Sequence, residues 1–202
     1  MSKPRIAPLQ PPYPDPIQDS FDIVMPKGMP PLNIFRTVAH NPRVLSRMVR
    51  GGLLDKGSIS MADRELVILR SCARCGAEYE WGVHVAAYAA HVGFSDAQQA
   101  DTCQLSVNKS LWASGQLLLL NMVDELHGTS TVSDALWQQL AGEFSEEQLV
   151  ELVMLTGLYH AVSFVVNALQ VEQEEFAPGF ATKYGLGVPD VSHGQVRPHE
   201  AR

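Results

Sequence analysis

Most of the chain repeats one arrangement, in which a residue able to cap a helix precedes apolar side chains spaced three or four positions apart. This spacing puts the apolar groups on one face of a helix, where they can be buried together. Ser60, Ser95 and Ser145 each stand three residues before an acid or an amide, which is the capping-box arrangement. The pattern therefore predicts helices that begin directly after these serines.

Helices are predicted along the whole middle of the chain, with boundaries set by caps, by a proline at the first position or by a terminal glycine. No segment alternates between polar and apolar residues as an exposed strand would. The predicted fold class is therefore all-α. The predicted helices are the segment from Pro42, 61 to about 75, 78–92, the segment after Ser95, 109–127, the segment after Ser133, and 146 to about 170.

A weak internal repeat is visible in two of these helices. Glu65-Leu66-Val67 and Glu151-Leu152-Val153 each follow a serine-capped start. Two similar helical halves, packed about a pseudo-twofold axis, would produce this repeat. Coincidence would also produce it, because capped amphipathic helices resemble one another.

Proline and glycine divide the chain into three parts. Nine of its 13 prolines lie at or before Pro31, so residues 1–31 are predicted to be an extended arm, either disordered or packed on a neighbouring subunit. Residues 32–176 form the predicted helical domain. Pro178-Gly179 and later glycines predict an irregular C-terminal tail over 177–202.

Composition and charge limit the kinds of partner that the chain is expected to bind. Charged residues make up 18% of its 202 residues, below the roughly 25% of an average domain, which hints at surface buried in a homo-oligomer. The net charge of −7, without a basic stripe, argues against nucleic acid and against an anionic membrane surface. We see no membrane-spanning run and no secretory signal, and three cysteines cannot form a disulfide framework, so we expect a cytoplasmic protein.

The segment 64–84 differs from the rest because it combines acidic, aromatic, histidine and cysteine residues. Glu80 and His84 are four apart, so on a helix they share a face and can form a hydrogen bond. Glu65 lies on the preceding helix and can reach the pair if the two helices form a hairpin, and His91 lies near the same face. A carboxylate raises the pKa of a neighbouring imidazole, so the ring can give or take a proton near neutral pH.

Commoner structures explain the same residues. A pair such as Glu80 and His84 is more often a surface ion pair than a catalytic dyad. Tyr79 and Trp81 beside it are more often packing residues than parts of a pocket.

A metal site is not predicted. The carboxylates and histidines of the segment offer oxygen and nitrogen ligands, but their spacing matches no recognised metalloenzyme signature. His127 most simply caps the end of a helix. Tyr159 and His160, in the last helix, either line the same pocket or simply pack.

A series of motifs runs through the chain in a recognisable order. Its members are Arg64-Glu65-Leu-Val-Ile-Leu-Arg70, Tyr79-Glu80-Trp81-x-x-His84, Gly93-Phe94-Ser95, Asp124-Glu-Leu-His127, Ser133-Asp-Ala-Leu-Trp137, and Phe144-Ser-Glu-Glu-Gln-Leu149 leading to Gly157-Leu-Tyr159-His160. The series resembles the carboxymuconolactone decarboxylase family, which shares its fold with alkylhydroperoxidase D. The resemblance covers roughly residues 31–171 and is strongest over 60–95.

The resemblance implies an all-helical, alkylhydroperoxidase D-like fold that assembles as trimers or hexamers and needs no metal or organic cofactor. It implies that Glu65, Glu80 and His84 are the catalytic residues, in a small pocket near subunit contacts.

The function favoured is cofactor-free acid–base chemistry, a decarboxylation or a proton shift, on a small carboxylated lactone or ring-cleavage product. Loss of carbon dioxide leaves electron density that must be protonated at carbon, and His84 with Glu80 would supply that proton while Glu65 orients the pair. A carboxylate substrate also needs a cation. The predicted substrate pocket contains Tyr79, Trp81, His91 and Arg70, with Arg64 and Arg74 as further candidate cations.

The cysteines leave other functions open. The peroxidase branch of the resemblance has a Glu, then Cys-x-x-Cys, then three residues and a His, and its two cysteine positions are Ala77 and Glu80 here. Cys72 and Cys75 form such a pair five residues upstream, late in a helix, where the helix dipole disfavours a thiolate. Structural cysteines are therefore favoured. A thiol peroxidase that uses this pair is the alternative, and a non-catalytic structural or binding oligomer is the second alternative.

Overall fold

The computed structural model describes residues 3–180, and this part of the chain contains α-helices and no strand. The prediction of an all-α fold is confirmed. A π-helix over Val85–Ala89 and a short 3-10 helix over Lys109–Leu111 interrupt the series. The α-helices are α1 (Asp15–Val24), α2 (Asn33–Val38), α3 (Pro42–Arg50), α4 (Met61–Arg74), α5 (Glu78–His84), α6 (Asp96–Asp101), α7 (Ser114–Thr129), α8 (Asp134–Glu143) and α9 (Glu146–Leu169).

Helix α4 is the centre of the fold and packs against α5, α7 and α9. Every residue from Arg64 to Ala73 is buried, so apolar and polar faces of this helix are both inside the protein. A buried charge is stable only when it is paired. The charged residues of α4 must therefore find partners on the helices around it.

The serine caps are confirmed. The hydroxyls of Ser60, Ser95, Ser133 and Ser145 each accept a hydrogen bond from the backbone N–H three residues later. Each bond satisfies one of the N–H groups that a helix start leaves without a partner.

The long helix predicted over 109–127 begins later and ends later in the structure. Residues Lys109–Leu111 form the separate 3-10 helix, and Trp112 after it is extended, with its indole N–H bonded to the buried Asp101 at 2.7 Å. Helix α7 then begins at Ser114 and passes through Gly128 to Thr129. A Cβ at Gly128 would meet nothing within 4 Å, so no close approach requires glycine there, and the helix continues through it at a small cost in stability.

The prediction of an extended arm is wrong for residues 15–24. They form α1, which packs against α3 with Ile17 and Phe21 buried. Two prolines lie at the start of this helix, where a missing N–H costs nothing, so a proline-rich sequence is compatible with it. The arm also contacts its own chain, since the backbone N–H of Leu9 donates to the carbonyl of Arg36 at 3.1 Å.

After α9, the chain crosses the outer side of α5. A Cβ at Gly82 would overlap the carbonyl oxygen of Pro178, so only glycine allows this close approach. Phe180 packs on Trp81 with ring centres 5.2 Å apart. The rest of the predicted tail, residues 181–202, lies outside the described residues.

Helix α9 is long and apolar enough to cross a membrane by length and composition, with a mean hydropathy of 1.8 over 18 residues, although the sequence predicts no membrane-spanning run. It packs against α4 and α5 and buries the polar residues Thr156, Tyr159 and Ser163. These features are those of a core helix.

Candidate active site

A tight turn between α4 and α5 brings Glu65 to His84. Gly76 adopts the left-handed conformation in this turn, with φ of 63°, which glycine tolerates best. The returning helix puts Nδ1 of His84 2.7 Å from Oε2 of Glu65. Both side chains are buried, so the predicted contact between the two helices is present in a site shielded from water.

The other ring nitrogen of His84 faces two further groups. Its Nε2 lies 3.0 Å from the hydroxyl of Tyr159, on α9, and 3.5 Å from Oε1 of Glu80, one turn earlier on α5. The Tyr88 ring lies against the imidazole, with centres 5.4 Å apart. The imidazole is therefore held on both sides, by a carboxylate at Nδ1 and by a phenol and a second carboxylate at Nε2.

Arg64 holds the outer oxygen of Glu65. Its Nε and Nη2 each lie 2.9 Å from Oε1, and its Nη1 donates to the carbonyl of Leu54 at 2.6 Å. The guanidinium also lies over the Tyr88 ring, 5.6 Å from its centre. The charge of the buried Glu65 is thus balanced on one side by arginine and on the other by histidine.

The neighbours of His84 raise the pKa of its imidazole. Burial alone lowers this pKa, but the hydrogen bonds that His84 donates to Glu65 and Glu80, together with the negative charges of these carboxylates, outweigh it, and the pKa of His84 rises to about 9. Burial, and then the charge of Glu80, raises the pKa of Tyr159 well above its ordinary value. At neutral pH the site therefore holds an imidazolium beside a neutral phenol.

A cavity of about 630 Å³ opens beside this cluster. Its polar walls are formed by Glu80, Tyr88 and Tyr159, with Arg50 and Asp55 also in its lining, and the rest of the lining is mostly apolar side chains from α1, α3, α9 and the loop after α3. His84 is not among the lining residues and is 3% exposed. A proton from His84 can therefore reach the cavity only through the groups that separate it from the wall, Glu80 and Tyr159.

Arg70 does not lie in this cavity. Its guanidinium is fully buried and forms a two-pronged pair with Asp124 on α7, at 2.8 and 2.6 Å. It also donates to the carbonyls of Thr102 and Gln104. The prediction of Arg70 as a substrate-binding cation is wrong, because its side chain is buried and each of its three nitrogens donates within the fold, joining α4 to α7 and to the loop after α6.

The aromatic pair beside Glu80 also points away from the cavity. The Tyr79 hydroxyl donates to Glu174 at 2.6 Å and accepts from the backbone N–H of Ile34. The Trp81 ring is fully buried, and its indole N–H donates to Thr102 at 3.0 Å. Both residues tie α5 to other parts of the fold, so their prediction as pocket residues is wrong and the packing interpretation describes them.

His91 lies away from the cluster. It is exposed, in the turn that follows the π-helix, and is not among the residues that line the cavity. A π-helix contains more residues per turn than an α-helix. The predicted alignment of His91 with His84 is wrong because the π-helix Val85–Ala89 between them shifts the register of the following residues.

The two cysteines of the Cys-x-x-Cys pair have different surroundings, and both are free thiols. Cys72 is fully buried, and burial first, then the charge of Glu80, raises the pKa of its thiol well above the ordinary value. Cys75 is half-buried at the end of α4, 3.7 Å from Nδ1 of His127. Neither thiol lines the cavity, and a raised pKa leaves little of the reactive thiolate.

Sequence reasoning missed two residues of the site. Arg50 ends α3, outside the segment in which the chemistry was sought, and Tyr88 lies within the π-helix. The sequence is compatible with two roles for Tyr159, and the structure supports the one in which it lines the pocket. A tyrosine four residues after His84 was a usable signal, because residues four apart lie on the same face of a helix.

Comparison with known proteins identifies the fold. No protein-family model and no curated protein matches the chain. A peroxidase-related protein from Silicibacter sp. TM1040 superposes with a TM-score of 0.72 at 20% identity, over 89% of this chain and 99% of that one. A peroxidase-related protein from Ralstonia eutropha JMP134, described as an alkylhydroperoxidase AhpD core, has a TM-score of 0.71 at 18% identity, over 90% and 98% of the two chains. The chain has the alkylhydroperoxidase D-like fold.

The alkylhydroperoxidase D-like fold also includes a debrominase. A cysteine-to-alanine variant of the debrominase Bmp8, in complex with 2,3,4-tribromopyrrole, has a TM-score of 0.64 at 15% identity, over 85% of this chain and 92% of that one. Proteins with this fold therefore include both peroxidase-related proteins and a debrominase. The fold implied by the resemblance in the sequence is confirmed, while the reaction has to be argued from the residues of the site.

Proposed function

We propose that this protein is an enzyme that performs cofactor-free acid–base chemistry, a decarboxylation or a proton shift, on a small carboxylated lactone or ring-cleavage product. The observation that carries the proposal is the buried series of Glu65, His84 and Glu80, which ends at the wall of a cavity. A histidine with a pKa of about 9 holds a proton at neutral pH. It can pass that proton to Glu80, which lies between the ring and the cavity.

The proton balance of a decarboxylation fits this order of groups. When the bond to the carboxylate breaks, carbon dioxide leaves and the electron pair of the bond remains on the ring carbon. His84 first passes its Nε2 proton to the Glu80 carboxylate, and Glu80 then delivers that proton to the carbon. His84 then regains its proton from solvent through the same groups, so each turnover releases one carbon dioxide and consumes one proton.

Arg50 is the proposed cation for the substrate carboxylate. It lies in the cavity lining, and its guanidinium makes no hydrogen bond or ion pair within residues 3–180. Arg64 is less suited to this role, because Glu65 and the carbonyl of Leu54 already occupy its donors. Together, Arg50 and the wall at Glu80 would hold a substrate between a cation and a proton donor.

A thiol peroxidase using Cys72 and Cys75 has less support. A peroxidatic thiol must be reachable by hydroperoxide and ionised, whereas Cys72 is fully buried with a raised pKa. It remains an outcome of the experiment below, as does a protein without turnover.

The test compares matched variants on a panel of carboxylated lactones, with carbon dioxide release and loss of substrate absorbance as measurements. We expect Glu80→Gln and His84→Gln to lower kcat by roughly 10²–10⁴-fold. Arg50→Gln should raise KM with a smaller effect on kcat. Cys72→Ala should leave turnover unchanged, since its thiol does not line the cavity.

Two outcomes would contradict the proposed function. The thiol peroxidase would replace the proposal if two results were found together. The protein would consume hydroperoxide and lose this activity in Cys72→Ala, and Glu80→Gln would not change turnover of the lactones. Absence of any turnover by the wild-type protein on both substrate classes would support the non-catalytic alternative.

We also propose a cytoplasmic homo-oligomer, a trimer or hexamer as the resemblance implies. Free thiols support the location. Val150, Met154 and Phe164, all more than 60% exposed on α9, support the assembly. Light scattering on Met154→Asp, with Leu105→Asp as a control on another exposed apolar residue, should show a smaller particle only for the first variant.

A further inference from the structure

A second cluster of polar side chains lies outside the candidate active site. It combines Cys75, at the end of α4, with His127 on α7 and His160 on α9, and all three are half-buried. One ligand atom from each residue lies within 4.8 Å of the other two. We propose that these three side chains form a site for a divalent transition-metal ion, best matched by Zn²⁺.

The distances within the cluster match those of a tetrahedral zinc site. Sγ of Cys75 lies 3.7 Å from Nδ1 of His127, which lies 3.1 Å from Nε2 of His160. Usual Zn–S and Zn–N bond lengths in a tetrahedron separate sulfur from nitrogen by about 3.6 Å and two nitrogens by about 3.3 Å. Small side-chain movements would therefore bring all three atoms onto one ion.

The tautomer of His160 is already the one that a metal needs. Its Nδ1 donates to the backbone carbonyl of Thr156 at 2.9 Å, since a carbonyl can only accept. The proton is thus on Nδ1, and the lone pair on Nε2 points toward His127. A ligating histidine typically donates its other N–H to such a carbonyl, which fixes the ring and makes the ligand more basic.

The charged groups around the cluster are balanced rather than strongly anionic. Arg74, next to Cys75 in the chain, lies 3.3 Å from Asp124, which also binds Arg70.

Sulfur and imidazole ligands favour zinc over magnesium or calcium, which prefer oxygen. Three protein ligands leave the fourth position for water, and the half-buried surroundings give that water access. Such an ion would join the end of α4 to α7 and to α9, the two helices that pack most extensively against α4. The proposal departs from the sequence prediction, which contained no metal site.

The test uses the full-length protein, reduced and stripped of metal, titrated with Co²⁺ as a spectroscopic substitute for Zn²⁺. We expect saturation at one equivalent, the visible bands of a four-coordinate ion and a thiolate-to-cobalt charge-transfer band, all reversed by Zn²⁺. Cys75→Ser should lose the charge-transfer band. His127→Gln and His160→Gln should each weaken binding more than about 100-fold, beyond the usual cost of losing a supporting residue.

Matched controls separate this site from others. Cys103→Ser and His40→Gln remove the same residue types elsewhere and should bind Co²⁺ like the wild type. Circular dichroism checks that each variant is folded, and the melting temperature should rise with Zn²⁺ for the wild type but not for Cys75→Ser. Unchanged Co²⁺ binding by Cys75→Ser and His160→Gln, or binding lost only in His84→Gln, would overturn the proposal.

Discussion

The molecule contains two histidine clusters with opposite surroundings. His84 lies between two carboxylates, and its pKa is raised to about 9, whereas burial, and then the neighbouring His160, lowers the pKa of His127. The first ring therefore keeps a proton near neutral pH, and the second keeps a free lone pair. Burial lowers the pKa of both rings, so the difference between an acid and a ligand comes from the two carboxylates that outweigh burial at His84.

The change with the largest expected effect removes the carboxylate that distinguishes the first cluster. Glu65→Gln keeps the shape of the side chain but not its charge, so the pKa of His84 should fall from about 9 toward its ordinary value. Turnover on a carboxylated lactone should fall roughly 10²–10⁴-fold. Nuclear magnetic resonance titration of the imidazole measures the pKa, and an unchanged value would show that Glu65 does not set it.

The second prediction concerns the pH dependence of stability. His84 has a higher pKa in the folded state than in the unfolded chain, so between about 6.5 and about 9 the folded protein binds the extra proton. The stabilisation from its contacts with Glu65 and Glu80 is complete below pH 6.5 and is lost as the pH rises through 9. Urea unfolding across this range should show the decline in the wild type, and a much flatter profile in His84→Gln.

A smaller effect is expected from the phenol on the other side of the ring. Tyr159→Phe removes the hydroxyl that lies 3.0 Å from Nε2 of His84 and leaves the packing of the ring in place. The free energy of unfolding should fall by about 1 kcal/mol, the usual net value of one hydrogen bond. A drop in turnover as large as that of Glu80→Gln would instead indicate that Tyr159 carries the proton to the substrate.

The smallest predicted effect concerns the second cluster. Arg74→Gln removes a positive charge beside the proposed metal site, so the affinity for Co²⁺ should rise roughly two- to fivefold, the range of a partly exposed charge interaction. Arg36→Gln, far from the cluster in sequence and bound to Leu9 and Asn33, is the matched control. Weaker binding in Arg74→Gln would mean that the arginine supports the ligands rather than repelling the ion.

The sequence predicted those features whose causes are local. Helix starts at Ser60 and Ser145 were predictable because a cap and its N–H partner are three residues apart. The contact between Glu65 and His84 was predictable because one short turn joins their helices.

Features whose partners are distant in the chain were not predictable. Arg70 binds Asp124, 54 residues away, and Tyr79 binds Glu174, 95 residues away, and no spacing rule connects such pairs. His127 and His160 are 33 residues apart, so the sequence suggested only a helix cap for the first of them. The fold is what brings these residues together.

Tyr159 and His160 are consecutive residues of α9, yet one reaches His84 and the other reaches His127. A rotation or translation of this single helix would displace a side chain in each cluster at once. Paired substitutions at the two clusters should consequently be non-additive, and a double-mutant cycle would report how rigidly the helix transmits a change from one to the other.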